Sequence, residues 1–495
     1  MELLRKRNIL LIAALSIAAF VVMGYHPGIE DDSVYLSAVK SDLHPALYPY
    51  DSEFFRVQLQ ATMFDRWVAG FCHFTHIPVA GTELLWQLAS IVLILIGCWS
   101  ITCTLFSEAR AHWAGVALVG SMLTLPVAGT ALYLADQHLH PRNLSTALIL
   151  LAVSRVMVGK RLQAVPLLLL SFVLHPIMGA LGISFAFFLT MALHEPVHVW
   201  LRSWRTTFAR NTVAAAVPLG WIFEPPTRIW RKALDTRSYI FLSRWTWYEW
   251  LGAIAPILLF WLLWRIALKR NETRLARFAL AVFAYSVFQI AVAFVMLGSP
   301  ALIRLAPLQP MRFLHLVYYF MVLIAGCLLG KYCLRQFVWR WAVFLVIINA
   351  GMFAAQQSLY PSSPHLELPG MRTSNPWLQA FAWIRVNTPV NAYFAMDPQY
   401  LADPGEDYHS FRALAERSQL ADAIKDTSVV MQVPELGPAW ETQSSAQAGW
   451  AHFRLRDFER LKSAFGVDWA LVSYPAPAGL DCRWHNASLS VCRIP

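Results

Sequence analysis

Residues 83–106 read ELLWQLASIVLILIGCWSITCTLF, and no charged side chain stands between Glu83 and Glu108. At a rise of about 1.5 Å per residue, a helix of that length crosses the roughly 30 Å hydrocarbon core of a bilayer. Comparable apolar runs recur at 8–24, 112–134, 143–158, 162–174, 177–193, 211–223, 248–268, 276–298, 313–330 and 338–356, so an α-helical polytopic membrane protein with about eleven spans is expected. Composition agrees: 57% of the 495 residues are hydrophobic and 14% charged, whereas soluble domains carry about 25% charge. His175 and Pro176 divide a single apolar stretch. Proline removes a backbone donor, so two short helices meeting at a bend are expected there.

Arg5, Lys6 and Arg7 precede the first run, and the inner loops that follow from this are the more basic. That bias puts the N-terminus in the cytoplasm and the segment after the last run outside it, in a multi-pass protein of the plasma (inner) membrane. The formal charge of +10 divides accordingly, with +13 in residues 1–356 and −3 in residues 357–495. The basicity therefore reflects topology and anionic membrane lipid, and no nucleic-acid partner is expected. Val21-Val22-Met23-Gly24-Tyr25 is a poor cleavage site, so the first run reads as a retained anchor.

Residues 1–356 form the expected membrane domain. Pro361, Ser362, Ser363 and Pro364 mark a linker into residues 357–495, a small extracytoplasmic α/β or α+β domain. Strands are expected at 392–395, 428–433, 469–473 and 489–494, and helices at 377–386 and 454–465. Cys482 and Cys492 lie in this translocated part, either joined by a disulfide that closes a terminal hairpin or as two free thiols. The chain contains no phosphate loop, nucleotide-binding glycine fingerprint or internal repeat.

Polar groups at the outer ends of the spans carry the functional signal, because ionisable groups at a membrane need partners or a purpose. Gly28-Ile29-Glu30-Asp31-Asp32-Ser33-Val34-Tyr35 opens a long outer loop, 25–82, whose 59–71 stretch reads as an amphipathic surface helix. The acids are otherwise a solvated turn. The next outer loop is Asp136-Gln137-His138-Leu139-His140-Pro141-Arg142-Asn143, and His175 stands at the following outward bend. A lone histidine at a bend is ordinarily structural, whereas three on one face suggest a site. The fourth outer loop carries Arg228, Arg231, Lys232, Arg237 and Arg244 against the positive-inside trend, and Arg312 enters the membrane with the tenth span. An interfacial aromatic belt accounts for Trp245 and Trp247 but not for five basic groups. Arg312 can reach an anionic phosphate or snorkel to the interface.

In this organisation the chain resembles the GT-C superfamily of polyprenyl-phosphate-sugar-dependent glycosyltransferases, best known for its protein O-mannosyltransferase and aminoarabinose transferase branches. The resemblance rests on Glu30-Asp31-Asp32, the Asp136 loop with His140-Pro141-Arg142, His175-Pro176, Pro310-Met311-Arg312 and Phe411-Arg412-Ala413-Leu414-Ala415-Glu416-Arg417. The last four look like a bacterial branch of the superfamily. The chain departs from aminoarabinose-type enzymes in having Ser33-Val34-Tyr35 where an arginine-tyrosine pair follows the acids.

The resemblance implies inverting transfer of a sugar from a polyprenyl-phosphate donor to a glycan, lipid or protein acceptor outside the cytoplasm. Asp31 or Asp32 would take the acceptor proton. Arg142, His175, Arg237 and Arg312 would hold the donor phosphate. Asp136, His138 or His140 would orient the acceptor or, with Asp32, bind a divalent magnesium or manganese ion. A secondary transporter and a non-catalytic membrane assembly protein remain as alternatives. A transporter places its charged residues near the bilayer midplane, whereas here they gather at one face.

Overall fold

In the computed structural model, residues 6–194, 225–402 and 408–495 are described. Among the described residues, seven helices are long and apolar enough to cross a membrane: Lys6–Met23, Val79–Leu105, Pro176–Leu193, Trp247–Lys269, Thr273–Gly298, Pro310–Leu334 and Val338–Leu359. Their outward faces carry bare apolar side chains, among them Leu10, Leu258, Val338, Val346 and Ile347. An apolar surface of that extent belongs against lipid, not water. The expected span at 211–223 lies outside the described residues.

The bend at His175 has the expected form, with helices Arg161–Leu174 and Pro176–His194 on either side. The third span does not. Its helix, Ala109–Ser121, stops after 13 residues, and Pro126–Val127 then pairs with Leu132–Tyr133 as a small hairpin. Pro126 has no N–H to donate and pushes Leu125 away from helical geometry, so the chain turns back there. Ala109–Ser121 packs instead on Leu314–Leu328, where a Cβ on Gly326 would come within 2.8 Å of the Gly115 Cα. Glycine on both helices permits that approach, as at small-residue crossings in membranes.

Residues 25–82 fold over one end of the helices. Helices Tyr35–Leu43 and Phe64–Thr75 bury Tyr35, Val39, Phe64 and Val68 against Leu139, in the connection before helix Pro141–Met157, Leu144 on that helix and Leu174 at the end of Arg161–Leu174. Val429 from the C-terminal segment joins the same core.

The C-terminal segment carries a five-stranded sheet in the order Ser418–Gln419, Tyr393–Ala395, Trp469–Ser473, Leu489–Arg493, Asp481–His485. The first three strands run parallel and the last two pairings are antiparallel. Helices Pro376–Asn387 and Leu455–Phe465 supply Phe381, Ile384, Phe458 and Leu461 to its core. One expected strand is a helix. Of residues 428–433, all but Val433 fall in the helix Asp426–Gln432, because the Asp422 carboxylate accepts the N–H groups of Ile424, Lys425 and Asp426 at 2.8, 2.5 and 3.3 Å. That N-terminal capping outweighs the β propensity of Val429 and Val430.

Cys482 and Cys492 are partners in the strand register and are joined as a disulfide. In protein exported to an oxidising compartment, mass spectrometry without reductant should recover the two cysteine peptides as one linked species. Recovery of both as free alkylated thiols would contradict the bond.

Candidate active site

The acidic turn sorts its three carboxylates. Gly28 takes φ +85°, and a Cβ there would lie 2.7 Å from the Leu414 side chain, so the turn requires glycine. The Asp32 carboxylate accepts the Gly28 N–H at 2.8 Å and turns inward, leaving Asp32 1% exposed. Burial, reinforced by Glu83, holds its carboxyl well above the usual range. Asp31 faces the other way, its side chain 39% exposed. Burial works against its charge, but Lys425 and His140 outweigh that and hold the Asp31 carboxyl well below the usual range.

His140 and His175 are built alike. Each precedes a proline that begins a helix, Pro141–Met157 and Pro176–His194. The His140 Nδ1 accepts the Arg142 N–H at 3.0 Å, and the His175 Nδ1 accepts the Met178 N–H at 3.3 Å. A ring nitrogen that accepts carries no proton, so each neutral ring has its proton on Nε2. The His140 Nε2 lies 3.4 Å from Asp31 Oδ2, and burial followed by Arg142 lowers the His140 pKa. The neutral imidazole therefore donates to Asp31.

Asp136 belongs to the support of the site. Its two carboxylate oxygens take the Arg142 guanidinium at 3.1 and 2.5 Å, and Gln87 and Asn143 hold its backbone. An acceptor bound in that fork is no free base.

Asp31, His140, Arg142, His175, Arg237 and Arg312 line one cavity of about 250 Å³. Arg237 donates to the Ile424 carbonyl at 3.0 Å. Arg312 stands on a tight turn that follows Gln309 at φ +47°, and its buried Nε has no hydrogen-bond partner among the described residues. The cavity thus gathers three guanidiniums and a single carboxylate. Cationic donors of that kind suit an anion of phosphate type, while Asp31 remains available to a hydroxyl.

Asp32, Asp136 and His138 stand apart from the cavity lining and do not form the expected cation site. Asp32 is turned inward, Asp136 is held by Arg142, and both His138 ring nitrogens lack hydrogen-bond partners, its pKa pushed by burial down to about 3. Among the described residues no three His, Cys, Asp or Glu side chains come together as metal ligands. The residues present therefore do not fit a divalent ion held by that set.

The residues that sequence reasoning missed come mainly from the C-terminal segment. Lys425, 7% exposed, pairs with Glu30 and reaches Asp31 Oδ1 at 3.3 Å. Behind it Arg412 grips Asp426 through two hydrogen bonds of 2.6 and 2.8 Å. Of the segment 411–417, then, Arg412 supports the residue that meets Asp31, and Glu416 takes Lys40 at 2.7 Å. Tyr35 and Tyr239 also line the cavity. Tyr35 could have been suspected from its place one helical turn after the acids; no pattern in the sequence marks Lys425.

No family model matches the chain, and no curated protein matches it. Among solved structures it is similar to an oligosaccharyltransferase from Archaeoglobus fulgidus in complex with Zn and sulfate, with a TM-score of 0.48 and 12% identity over 94% of this chain and 67% of that one. The apo form of that enzyme gives a TM-score of 0.45 at 11% identity, and its complex with an inhibitory peptide and a dolichol-phosphate gives 0.43 at 11%, each covering 94% of this chain and 69% of the other.

The two acids should separate in a stability measurement. Asp136→Asn leaves the buried Arg142 guanidinium without its counter-charge and should destabilise the protein by roughly 3–5 kcal/mol. Asp31→Asn, at the cavity surface with Glu30 still beside Lys425, should change thermal unfolding of the detergent-solubilised protein far less.

Proposed function

We propose that the chain is an integral membrane glycosyltransferase that moves a sugar, with inversion, from a polyprenyl-phosphate donor to an acceptor hydroxyl outside the cytoplasm. The observation that carries the reading is the cavity itself: Asp31 shares it with Arg142, Arg237 and Arg312, and Arg312 has a buried donor nitrogen without a partner among the described residues. A buried guanidinium fork gains most from an anion that completes its hydrogen bonds.

In this mechanism the acceptor oxygen attacks the anomeric carbon from the face opposite the phosphate. A carbon–oxygen bond forms to the acceptor, and the bond from the anomeric carbon to the phosphate oxygen breaks. Its electron pair leaves with the polyprenyl phosphate, where Arg312 and Arg237 meet the developing charge. The acceptor proton passes to the Asp31 carboxylate, oriented by His140 Nε2–H and Lys425 Nζ. Arg142 is engaged by Asp136 and adds its charge from behind. A phosphate arriving on the arginines offsets the cations that depress Asp31, so the carboxylate becomes a stronger base once donor is bound.

The rest of the reading follows the charge pattern: N-terminus in the cytoplasm, residues 1–356 in the plasma membrane, and residues 357–495 outside, closing the cavity with Ser428 and Gln432.

Transfer assayed with a polyprenyl-phosphate-linked sugar in proteoliposomes tests it. Asp31→Asn should lower the rate by about 10²- to 10⁴-fold with donor binding retained, and Arg312→Gln should lower it by about 10²- to 10³-fold. Full transfer by the Asp31→Asn protein, or no donor binding by the unaltered protein, would sink the proposal.

The acid limb of the pH–rate profile carries a sign. Asp31 acts ionised, so activity is present above its folded pKa and is lost as pH falls through it. Lys425 is the foremost charge that depresses this pKa. Lys425→Gln should therefore move the acid limb to higher pH, and an unmoved limb would remove Asp31 from the role of base.

A further inference from the structure

Helix Arg228–Asp235 follows a Thr227 N-cap whose hydroxyl accepts the Trp230 N–H at 3.2 Å. Its two faces differ sharply. Trp230, Ala233 and Leu234 are buried, in one core with Ala306, Val430, Met431 and Trp440. Arg228, Arg231, Lys232 and Asp235 follow each other at i, i+3, i+4 and i+7 and form the exposed stripe, where they line a shallow groove with Pro226. Asp235 is taken by Arg244 at 2.7 Å and Lys232 by Glu441 at 3.1 Å. Among the described residues, the side chains of Arg228 and Arg231 enter no hydrogen bond or ion pair.

The packing also sets the depth of this helix. Its core takes in Leu297, from the end of the span Thr273–Gly298, and Ile303 and Ala306, from the connection Pro300–Leu308 to the next span. The Arg304 guanidinium lies 5.7 Å over the Trp230 ring. A helix packed on the connection between two membrane spans lies at the level where those spans leave the hydrocarbon, which is where lipid phosphates stand. Exposed Trp247 and Tyr248, opening the span Trp247–Lys269, mark the same interface. Trp230 and the apolar face explain why the helix is there, but not why two guanidiniums without a partner among the described residues sit on its outside, against the charge bias of the outer loops.

We propose that the basic face of helix Arg228–Asp235 is a docking site for the headgroups of anionic phospholipids in the outer leaflet, with Arg228 and Arg231 as its phosphate ligands. The site is separate from the cavity of Asp31 and does not depend on the chemistry proposed there. Guanidinium forks bind phosphate oxygens bidentately, and a basic group near an anionic membrane surface contributes about a five-fold gain in binding.

The test uses the full-length protein in nanodiscs doped with a photoactivatable phosphatidylglycerol, and in parallel with the matching phosphatidylcholine. Crosslinks are mapped by mass spectrometry. Phosphatidylglycerol should label the peptide that contains residues 228–235 in preference to phosphatidylcholine. Arg228→Gln with Arg231→Gln should lower that labelling about 25-fold, and Arg228→Lys with Arg231→Lys should restore most of it, which a purely structural role would not. Equal labelling by the two lipids, or labelling unchanged in the Gln variant, overturns the proposal. Loss of the label on addition of millimolar inorganic phosphate overturns the membrane assignment in favour of a soluble phosphate site.

Discussion

The contact between Lys425 and the acidic turn is the interaction on which the rest of the site depends. An ammonium that is 7% exposed meets the carboxylates of Glu30 and Asp31 across 394 residues of sequence. Removing a charge from water costs several kcal/mol unless a partner compensates it, so the C-terminal segment and the first outer loop hold this geometry together or lose it together. The contact also aims Asp31 into the cavity. Its support is layered: Asp422 caps the turn that carries Lys425, and Arg412 holds Asp426 one residue on. Lys40 with Glu416, and the pairing of Ile29 with His409, tie the same two segments at further points.

Around that contact the charges are arranged with an imbalance. Arg142 is matched by Asp136, whereas Arg237 donates to a carbonyl and the Arg312 Nε has no partner among the described residues. Positive potential therefore accumulates at one wall of a cavity with apolar lining from Pro176, Ile177 and Leu308. In such surroundings a fixed guanidinium acts on an anion more strongly than it would in water. The two histidines add donors and no charge, because each gives its Nδ1 to the start of the helix that follows it.

The site was legible in the sequence to the extent that polar residues break an apolar pattern. Asp31, His140, Arg142, His175, Arg237 and Arg312 stand out because ionisable groups at the ends of membrane helices are conspicuous. The two His-Pro pairs also carry a local rule, since proline fits the first turn of a helix and the preceding side chain can cap it. The same conspicuousness misled for Asp32, Asp136 and His138. Chemistry alone does not tell an acid that faces a cavity from one that closes a turn or holds an arginine. Lys425 was hidden because it sits among the mixed charges of a segment that reads as soluble.

What the sequence determined by itself was set by short-range physics. The thickness of a bilayer fixes the length of apolar runs, the Lys/Arg distribution biases their direction, and strand and helix periods shaped most of the C-terminal segment. Pro126 already contained the end of the third helix, and Asp422 the start of the helix that was expected as a strand. Only the tertiary structure decided which of two adjacent aspartates meets the cavity. That choice follows from Gly28 packed against Leu414 and from Lys425 waiting on the far side of the turn. Both partners come from nearly 400 residues away, and a contact between surfaces that distant leaves no periodicity or spacing in the chain from which it could be read.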